Sequence, residues 1–268
     1  MRYKLAVFDI DGTLIGPQPA GSSESAVPDN TAAAVRALAE RGVTVAVGTA
    51  RPYHIALGPF DEIGVAGEAI TSSGADVRRA DGAVVTQEPL SPGAARFLAE
   101  LCDRASWSPT VATVDGVTMR LDKPPEWIGR APATMRVVQS LADDVPAGML
   151  AIVTGVDGDP AHAEELAAHP ELSVNSAVTR EGRLLLTVTR KDVDKGTGLT
   201  ALCAALAISP DDAVAFGDAD VDVPMFDAAG LSVAMGNSAD DIKARADMVT
   251  DDVVADGLAN AIKRIWDV

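Results

Sequence analysis

The sequence of 268 residues has few cysteines, few basic residues and no long apolar run. Its two cysteines, Cys102 and Cys203, lie in separate segments with helical patterns, so no disulfide framework is expected and a reducing cytoplasm is the predicted compartment. No apolar stretch approaches the length of a membrane span. Strand-like sequence begins by Tyr3, so no signal peptide is expected.

Acidic residues outnumber basic ones by 39 to 22, which gives a formal net charge of −17 and a pI near 4.4. This charge argues against binding to nucleic acid or to an anionic membrane surface. It does not exclude a small anionic substrate, provided that a bound cation and a few basic groups reverse the field locally. The predicted partner is therefore a small molecule.

Both ends of the sequence alternate between short apolar runs and helical patterns. This order of strand and helix predicts an α/β domain with a doubly wound parallel sheet and right-handed crossovers, formed by residues 1–83 and 191–268. The strands expected in it include 5–8, 43–47, 69–72, 213–216 and 231–235.

The pattern changes in the middle of the sequence, where hairpin signals replace the alternation. Asp115-Gly116 separates two strand-like runs, and Ser91-Pro92 opens a helix. Runs of hairpins with interspersed helices predict an α+β domain, placed at residues 84–190 and inserted into the α/β domain.

Asp9 and Asp11 follow the first apolar run directly. Ligands of open α/β sheets bind beyond the carboxyl ends of the strands, where these two residues are expected. If both residues stay extended, their side chains point to the same side. Two like charges so close require a metal ion or a shared proton, so this position predicts chemistry.

Further polar groups follow other predicted strands or begin helices. Thr49 and Arg51 follow the second strand, Lys195 begins a helix, and Asp218 and Asp222 follow the strand 213–216. These groups are expected at one edge of the sheet. Carboxylate oxygens suit Mg²⁺, which also binds substrate phosphate. Lys195 and the helix N-termini would complete a phosphate site.

The order and spacing of these motifs resemble the haloacid dehalogenase-like (HAD) phosphatase superfamily, and specifically its Cof-type branch, whose α+β cap is inserted where residues 84–190 lie. This resemblance implies a Rossmann-like HAD core with a cap. It rests on Asp9-Ile10-Asp11-Gly12-Thr13-Leu14, Gly48-Thr49-Ala50-Arg51, Lys195-Gly196, Gly217-Asp218 and Val233-Ala234-Met235-Gly236-Asn237.

The resemblance implies hydrolysis of small phosphomonoesters, typically sugar phosphates, through an aspartyl phosphate. Asp9 would be the nucleophile. Asp11 would protonate the leaving alcohol and then assist the attacking water, which requires it to hold a proton at the start. Partial burial of Asp11 is expected.

The resemblance also assigns the remaining groups. Mg²⁺ would be held by Asp9, the backbone carbonyl of Asp11 and Asp218, with Asp222 reaching it directly or through water. Thr49 and Lys195 would bind the phosphoryl oxygens, and Arg51 and Asn237 would contact substrate or support the site. Independently of the resemblance, Arg51 could instead pair with a core carboxylate, and Asp222 could cap the helix that begins near Pro224.

Two positions depart from the family pattern, because Val221 and Ser73 stand where asparagine is common. These departures keep open a degenerate HAD-fold module that binds phosphosugars without turnover. A phosphomannomutase-like phosphotransferase is a second alternative, because the resemblance implies that such enzymes can share this core and cap type. Trp107, Trp127 and Arg130 are candidates for cap residues that face the substrate. The sequence allows a monomer or a homodimer and does not name the substrate.

Overall fold

A computed structural model describes residues 2–16, 27–123, 133–156, 160–178 and 184–268. Trp127 and Arg130 lie outside the described residues. The strands, numbered in chain order, are β1 (Leu5–Phe8), β2 (Thr44–Gly48), β3 (Glu68–Thr71), β4 (Asp76–Arg78), β5 (Val84–Gln87), β6 (Thr110–Thr113), β7 (Gly116–Arg120), β8 (Met135–Val138), β9 (Met149–Val156), β10 (Leu172–Val178), β11 (Leu184–Arg190), β12 (Ala213–Gly217), β13 (Leu231–Ala234) and β14 (Met248–Val249).

Helices connect most of these strands. They are α1 (Asp29–Glu40), α2 (Tyr53–Ala56), α3 (Gly58–Ile63), α4 (Pro92–Arg104), α5 (Pro160–Ala167), α6 (Lys195–Leu206), α7 (Val223–Ala228), α8 (Asp240–Lys243) and α9 (Gly257–Trp266). Short 3₁₀ helices at Ser72–Gly74 and Asp220–Asp222 lie beside the site described below. No described helix combines the length and the apolar character that a membrane crossing requires.

The first sheet has the strand order β14-β13-β12-β1-β2-β3-β4-β5. Its strands from β14 to β3 are parallel, and β4 and β5 extend the edge in antiparallel pairing. The central strand β1 lies between β12 and β2, with Leu5 opposite both Ala213 and Thr44. The predicted α/β fold with a parallel sheet is confirmed.

Helices cover both faces of the first sheet. Phe8 packs with Leu38 of α1 and Ile262 of α9 on one face. Val7, the next residue back along β1, packs on the other face with Leu199 of α6. Successive strand residues point to opposite faces, so an all-apolar run is required where both faces are covered.

The second sheet, with the strand order β10-β11-β9-β6-β7-β8, is inserted in the chain between β5 and α6. Helices α4 and α5 pack on one of its faces in a separate apolar cluster that includes Leu98, Leu166 and Ile152. The predicted hairpin at Asp115-Gly116 is present as β6 and β7. Strand β8 was not predicted, and it pairs in parallel with β7.

Two boundaries differ from the sequence prediction. Strand β5, residues Val84–Gln87, belongs to the first sheet, although residue 84 was expected to open the inserted domain. The turn containing Gly82 returns the chain along β4, and the pairing of β5 with β4 keeps it in the first sheet. For the helix predicted at about residues 29–41, the sequence suggested Asp29 or Asn30 as the cap, but the N-cap residue of α1 is Pro28 and no side chain caps the helix. Asn30 instead donates to Asp256.

Candidate active site

Four polar side chains from separate parts of the chain converge beyond the carboxyl ends of β1 and β12. Ligand oxygens of Asp9, Asp218 and Asp222 lie within 4.8 Å of one another. Lys195, the first residue of α6, places its Nζ 2.7 Å from Asp9 Oδ1 and 2.6 Å from Asp222 Oδ1. The expectation that these motifs share one edge of the sheet thus matches their positions.

Lys195 is almost completely buried, with 1% of its side chain exposed. Three carboxylates and one ammonium leave this group with a net charge of −2 when all are ionised. Buried charges are stable only when paired or bound to metal, and the lysine offsets one carboxylate. A divalent cation would offset the remaining two.

The start of α6 fixes the position of Lys195. Asp194 caps the helix: its Oδ1 accepts from Thr197 N at 2.8 Å, and Thr197 Oγ1 accepts from Asp194 N at 3.0 Å. A Cβ on Gly196 would overlap the carbonyl of Pro224. The helix therefore packs against α7 so closely that Lys195 can reach only inward, to the carboxylates.

Asp222 organises the loop that follows β12. Its Oδ2 accepts from the backbone amides of Asp218 and Ala219 at 2.9 and 3.0 Å. A Cβ on Gly217 would overlap this carboxylate. Asp222 is the N-cap residue of α7, as the alternative reading supposed, but its side chain makes no capping hydrogen bond to that helix.

Gly12 and Asn237 hold Asp218 in place. Gly12 has a φ of +93°, and a Cβ there would overlap the Asp218 carboxylate. Asn237 Nδ2 donates to Gly12 O at 3.0 Å and to Asp218 Oδ2 at 3.1 Å, while its Oδ1 accepts from Val253 N at 3.0 Å. The amide of Asn237 therefore links the turn after β1 to the loop after β12.

Asp11 lies outside the buried group. Its side chain is 62% exposed and forms a bidentate ion pair with Arg51, with Nε at 2.8 Å from Oδ2 and Nη2 at 2.6 Å from Oδ1. The expectation of partial burial for Asp11 is therefore wrong, and the condition for a common direction with Asp9, that both residues stay extended, is not met. The chain leaves the strand after Phe8, so the alternation of an extended strand no longer applies. Arg51 does pair with a carboxylate, but with the exposed Asp11 and not with the core carboxylate that was expected.

Thr49 is buried, and its Oγ1 accepts from Arg51 N at 3.2 Å. The backbone amide of Ser73 donates to Thr49 O at 3.0 Å. Ser72, Ser73 and Gly74 all have positive φ. Their loop packs between the Thr49 turn and the start of α6, where a Cβ on Gly74 would overlap Asp194 O.

Sequence reasoning missed part of this support. It assigned no role to the loop Ser72–Gly74 beyond a departure at Ser73, although the glycine was a signal for a left-handed turn. The amide of Val253, which fixes Asn237, carried no side-chain signal at all. Val221 makes no hydrogen bond with its side chain, because valine has no polar atom.

The crowding of charge shifts the pKa values of the group. Burial raises the pKa of Asp9 well above its usual range, against the opposing attraction of Lys195. Burial, together with Asp222, raises the pKa of Asp218 to about 7. Burial alone would lower the pKa of Lys195, but Asp222 and Asp9 raise it overall. The cluster thus has more negative charge than its own cation can stabilise.

The residues present fit a hard divalent cation. Asp218 Oδ1 is buried and has no hydrogen-bond partner in the described part of the chain. It belongs to a carboxylate group with a net charge of −2, and oxygen ligands of this kind favour Mg²⁺ over softer metals. The three aspartates could therefore hold a metal ion.

Comparison with known proteins identifies the family of this chain. The family model described as haloacid dehalogenase-like hydrolase matches residues 6–262. The chain therefore belongs to the haloacid dehalogenase-like hydrolases, as the motifs predicted.

Relatives in this family include enzymes named as phosphatases. The 5-amino-6-(5-phospho-D-ribitylamino)uracil phosphatase YcsE of Bacillus subtilis is 25% identical over 268 residues, 97% of this chain and 94% of that protein. The phosphoglycolate phosphatase of Methanopyrus kandleri is 45% identical over 75 residues, 28% of this chain but only 32% of that protein. The predicted enzyme class, a HAD-type phosphatase, is confirmed at the level of the family.

Solved structures share the whole fold. The structure of the HAD subclass IIB sugar phosphatase BT4131 has a TM-score of 0.81 and 21% identity, covering 99% of this chain and 100% of that one. At this identity the likeness shows the fold, including both sheets.

Proposed function

We propose that this chain hydrolyses small phosphomonoesters, with sugar phosphates as the substrate class, in a Mg²⁺-dependent reaction that passes through an aspartyl phosphate on Asp9. The observation that carries the proposal is the buried group of three carboxylates around Lys195, whose net charge of −2 matches a divalent cation. The names of the relatives, which include a phosphatase of a phosphorylated ribityl compound, support the reaction class.

In the first step, a carboxylate oxygen of Asp9 attacks the phosphorus atom of the substrate. A new bond forms between phosphorus and this oxygen, and the bond from phosphorus to the leaving alcohol oxygen breaks. Asp11 donates a proton to that oxygen, so a neutral alcohol departs. Lys195, 2.7 Å from Asp9, and Thr49 bind the phosphoryl oxygens and stabilise their charge.

In the second step, water hydrolyses the aspartyl phosphate. Asp11, now ionised, removes a proton from the water while the water oxygen attacks phosphorus. The bond between phosphorus and the Asp9 oxygen breaks, which releases inorganic phosphate and restores both side chains. Because Arg51 holds Asp11 by both oxygens, this ion pair must open before Asp11 can reach the leaving group.

The aspartates Asp9, Asp218 and Asp222 would hold Mg²⁺, with the backbone carbonyl of Asp11 as a further ligand. When bound, the ion supplies positive charge next to the phosphoryl oxygens. Asn237 supports this arrangement through Asp218. The proposed setting is the cytoplasm, with a small phosphorylated metabolite as partner and a monomer or homodimer as the assembly.

The variant Asp9→Asn tests the nucleophile. An amide keeps the size of the side chain but cannot form the acyl phosphate, so hydrolysis of p-nitrophenyl phosphate should fall on the order of 10³-fold or more. Release of p-nitrophenolate with Mg²⁺ present measures this, and circular dichroism checks the fold. Asp240→Asn, at an exposed position of α8, is the matched control and should keep full activity.

Activity of Asp9→Asn at the wild-type level would refute the nucleophile. Activity that persists fully in excess chelator would refute the role of Mg²⁺. Interconversion of phosphosugar isomers without phosphate release would instead indicate the phosphotransferase. Binding of phosphosugars without any turnover would indicate the degenerate module.

A further inference from the structure

Most of the buried polar atoms that lack a hydrogen-bond partner lie around the carboxylate group. Within the described residues there are six such side-chain atoms: Thr13 Oγ1, Ser72 Oγ, Ser73 Oγ, Trp107 Nε1, Asp218 Oδ1 and Ser238 Oγ. Asp218 is one of the three carboxylates, and Thr13 and Ser238 directly follow residues that contact its side chain. Buried polar groups nearly always have partners, so several exceptions at one place indicate a bound group that satisfies them.

Ser72 and Ser73 are the two members of this set that follow one another in the chain, and we call them the serine pair. They are 1% and 2% exposed, so water does not reach their hydroxyls freely. Each hydroxyl can donate one hydrogen bond and accept two. Burying a hydroxyl without a partner is unfavourable, so the serine pair is incomplete without a further polar group.

The backbone of the serine pair is also held in an unfavourable conformation. Ser72 has a φ of +51° and Ser73 a φ of +52°, in the left-handed region that residues other than glycine seldom adopt. Glycine would take this conformation without strain. Strained backbone of this kind persists where the surrounding structure enforces it, and it is concentrated at binding and active sites.

The turn that contains Thr49 fixes the serine pair from one side. The amide of Ser72 donates to Arg51 O at 2.9 Å, and the amide of Ser73 donates to Thr49 O at 3.0 Å. Two consecutive amides are thus bound to two carbonyls of one turn. The hydroxyls of the serine pair therefore keep a fixed position relative to Thr49, which is proposed above to bind the phosphoryl group.

The start of α6 lies on another side of the serine pair. A Cβ on Gly74, the next residue, would lie 1.9 Å from Asp194 O and 3.3 Å from Lys195 N. The positive end of a helix dipole and the free amides of the first turn favour an anion at this position. The serine pair thus lies between the Thr49 turn and the first turn of α6, the two elements proposed to bind the phosphoryl oxygens.

The inserted domain covers the loop that carries the serine pair. Strands β9 and β11 contact the 3₁₀ helix Ser72–Gly74, and Ala75, which follows it, packs with Ala151 and Val193. This cover excludes water from the hydroxyls. A hydrogen bond from a buried hydroxyl to a charged oxygen is stronger than the same bond in water.

A phosphoryl group is an acceptor that suits two buried hydroxyls. During transfer its charge is spread over three oxygens, and catalysis consists mainly of positioning the group and stabilising this charge. Lys195 is already bound to two carboxylates, at 2.7 and 2.6 Å. Neutral donors add stabilisation for the phosphoryl oxygens without a further buried charge.

We propose that Ser72 and Ser73 are further substrate-contacting residues, whose hydroxyls donate hydrogen bonds to the phosphoryl oxygens alongside Thr49 and Lys195. This inference rests on the proposed phosphatase function. It gives Ser73 a role in binding the transferred group, at a position where the family pattern commonly has asparagine.

The test compares Ser72→Ala, Ser73→Ala and the double variant with the wild type. Calorimetry with Mg²⁺ measures the affinity for inorganic phosphate, which each single variant should weaken by about tenfold or more, because a hydrogen bond to a charged group is lost. Their kcat/KM should fall by similar factors for p-nitrophenyl phosphate and for a hexose phosphate, since the two esters share the phosphoryl group.

Ser73→Gly separates binding from stability. It removes the same hydroxyl as Ser73→Ala but relieves the left-handed strain, so its Tm should exceed that of Ser73→Ala. Both variants should lose the same factor in affinity for phosphate. Without phosphate, Ser73→Ala should keep the Tm of the wild type, because the hydroxyl has no partner to lose within the described structure.

Ser106→Ala is the matched control. Ser106 has a φ of +56°, close to those of the serine pair, but it is exposed and lies at the end of α4. This variant should change neither the affinity for phosphate nor kcat/KM. The comparison separates the loss of a buried hydroxyl from the effect of placing alanine in left-handed backbone.

Unchanged affinity for phosphate in the double variant overturns the inference, and so does a wild type that binds no phosphate. Losses of affinity that follow Tm across the variants would show a structural role, with a trapped water as the partner, and would also overturn it. A loss for only one of the two esters would place the serine pair at the leaving group instead. Failure of the wild type to hydrolyse any ester would contradict the proposed function alone, because phosphate binding would still test the serine pair.

Discussion

Asp218 combines a raised pKa of about 7 with a buried oxygen that lacks a hydrogen-bond partner within the described residues. Both properties have one cause: the Asp218 carboxylate is buried next to Asp222, so its negative charge is unfavourable. Asn237 holds this carboxylate but donates to only one of its oxygens. Folding therefore places a negative charge at an unfavourable position, and a bound cation would offset the cost of that charge.

The pKa of Asp218 predicts how pH affects the protein without metal. An unfolded aspartate has a pKa near 3.9, so between about pH 4 and pH 7 the folded protein binds more protons than the unfolded one. The stability of the metal-free protein should therefore fall as pH rises through this window. Added Mg²⁺ should bind more tightly as pH rises, because Asp218 must lose its proton to bind the ion. Below pH 7 the affinity for Mg²⁺ should fall by up to about tenfold for each pH unit.

Thermal unfolding between pH 5 and pH 8, with Mg²⁺ or with chelator, measures both effects. Asp218→Asn is the control and should reduce both the pH dependence and the stabilisation by Mg²⁺. A Mg²⁺ effect that is equal at pH 5 and pH 8 would contradict the prediction.

Among the elements, α4 carries one carboxylate, Asp103, that hydrogen-bonds both to β7 and to the segment after β8. Asp103 accepts from Arg120 Nε at 2.9 Å and from Ser140 Oγ at 2.8 Å, as well as from the amides of Leu141 and Ala142. Burial alone would raise the pKa of Asp103, but these hydrogen bonds lower it overall. The stabilisation is therefore present above the unfolded pKa and is lost as pH falls through the lowered folded value.

Asp103→Ala should destabilise the protein by about 2–4 kcal/mol, because it leaves the mostly buried Arg120 without its main partner. Urea unfolding followed by circular dichroism measures the loss. Asp122→Ala is the matched control: Asp122 also approaches Arg120, at 3.7 Å, but is 86% exposed, so its removal should cost less than about 0.5 kcal/mol. Equal effects of the two variants would show that the buried network has no special role.

Patterns of length and alternation predicted most elements, and the exceptions have physical reasons. The run Gly257–Trp266 has its apolar residues at helical spacing and forms α9 with those bounds. Strand β8 was missed because it has only four residues and pairs with β7, so nothing local marks it as a strand. Helix α3 was missed because its six residues are too few to show a helical repeat of apolar side chains.

The candidate site shows a similar division. Asp9, Lys195, Asp218 and Asp222 were found because each follows a strand or begins a helix in a recognisable spacing. The ion pair of Arg51 with Asp11 could be named only as one alternative, since side-chain directions beyond a strand end depend on the turn. The residues that lie opposite one another across the second sheet depend on the register of its strands, which no local pattern contains.

The whole molecule contains separate apolar clusters under its two sheets. Leu38 lies in the cluster of the first sheet, and Leu98 lies in the cluster of the second. Both side chains are almost completely buried. We therefore divide the chain into a core, which includes residues Val84–Gln87, and an inserted domain. This division predicts that a cavity in one cluster loosens mainly the sheet that covers it.

Leu38→Ala and Leu98→Ala form a matched pair, and each should cost about 2–5 kcal/mol because a buried cavity replaces the side chain. Hydrogen exchange resolved by mass spectrometry should show faster exchange mainly in β1, β2 and β12 for Leu38→Ala. For Leu98→Ala the faster exchange should lie mainly in β6, β9 and β11. Identical exchange patterns would mean that the two sheets unfold as one unit.

The pairing of β1 with β12 also has a consequence in time. Asp9 and Lys195 are 186 positions apart in the chain. At roughly 5–20 residues per second, a ribosome needs about 10–40 s after making Asp9 before it makes the lysine that pairs with it. During that interval β1 can pair with β2 but has no β12 on its other side. The group of carboxylates around Lys195 therefore cannot form until the ribosome has made the chain through Asp222, long after Asp9 and β1 have emerged.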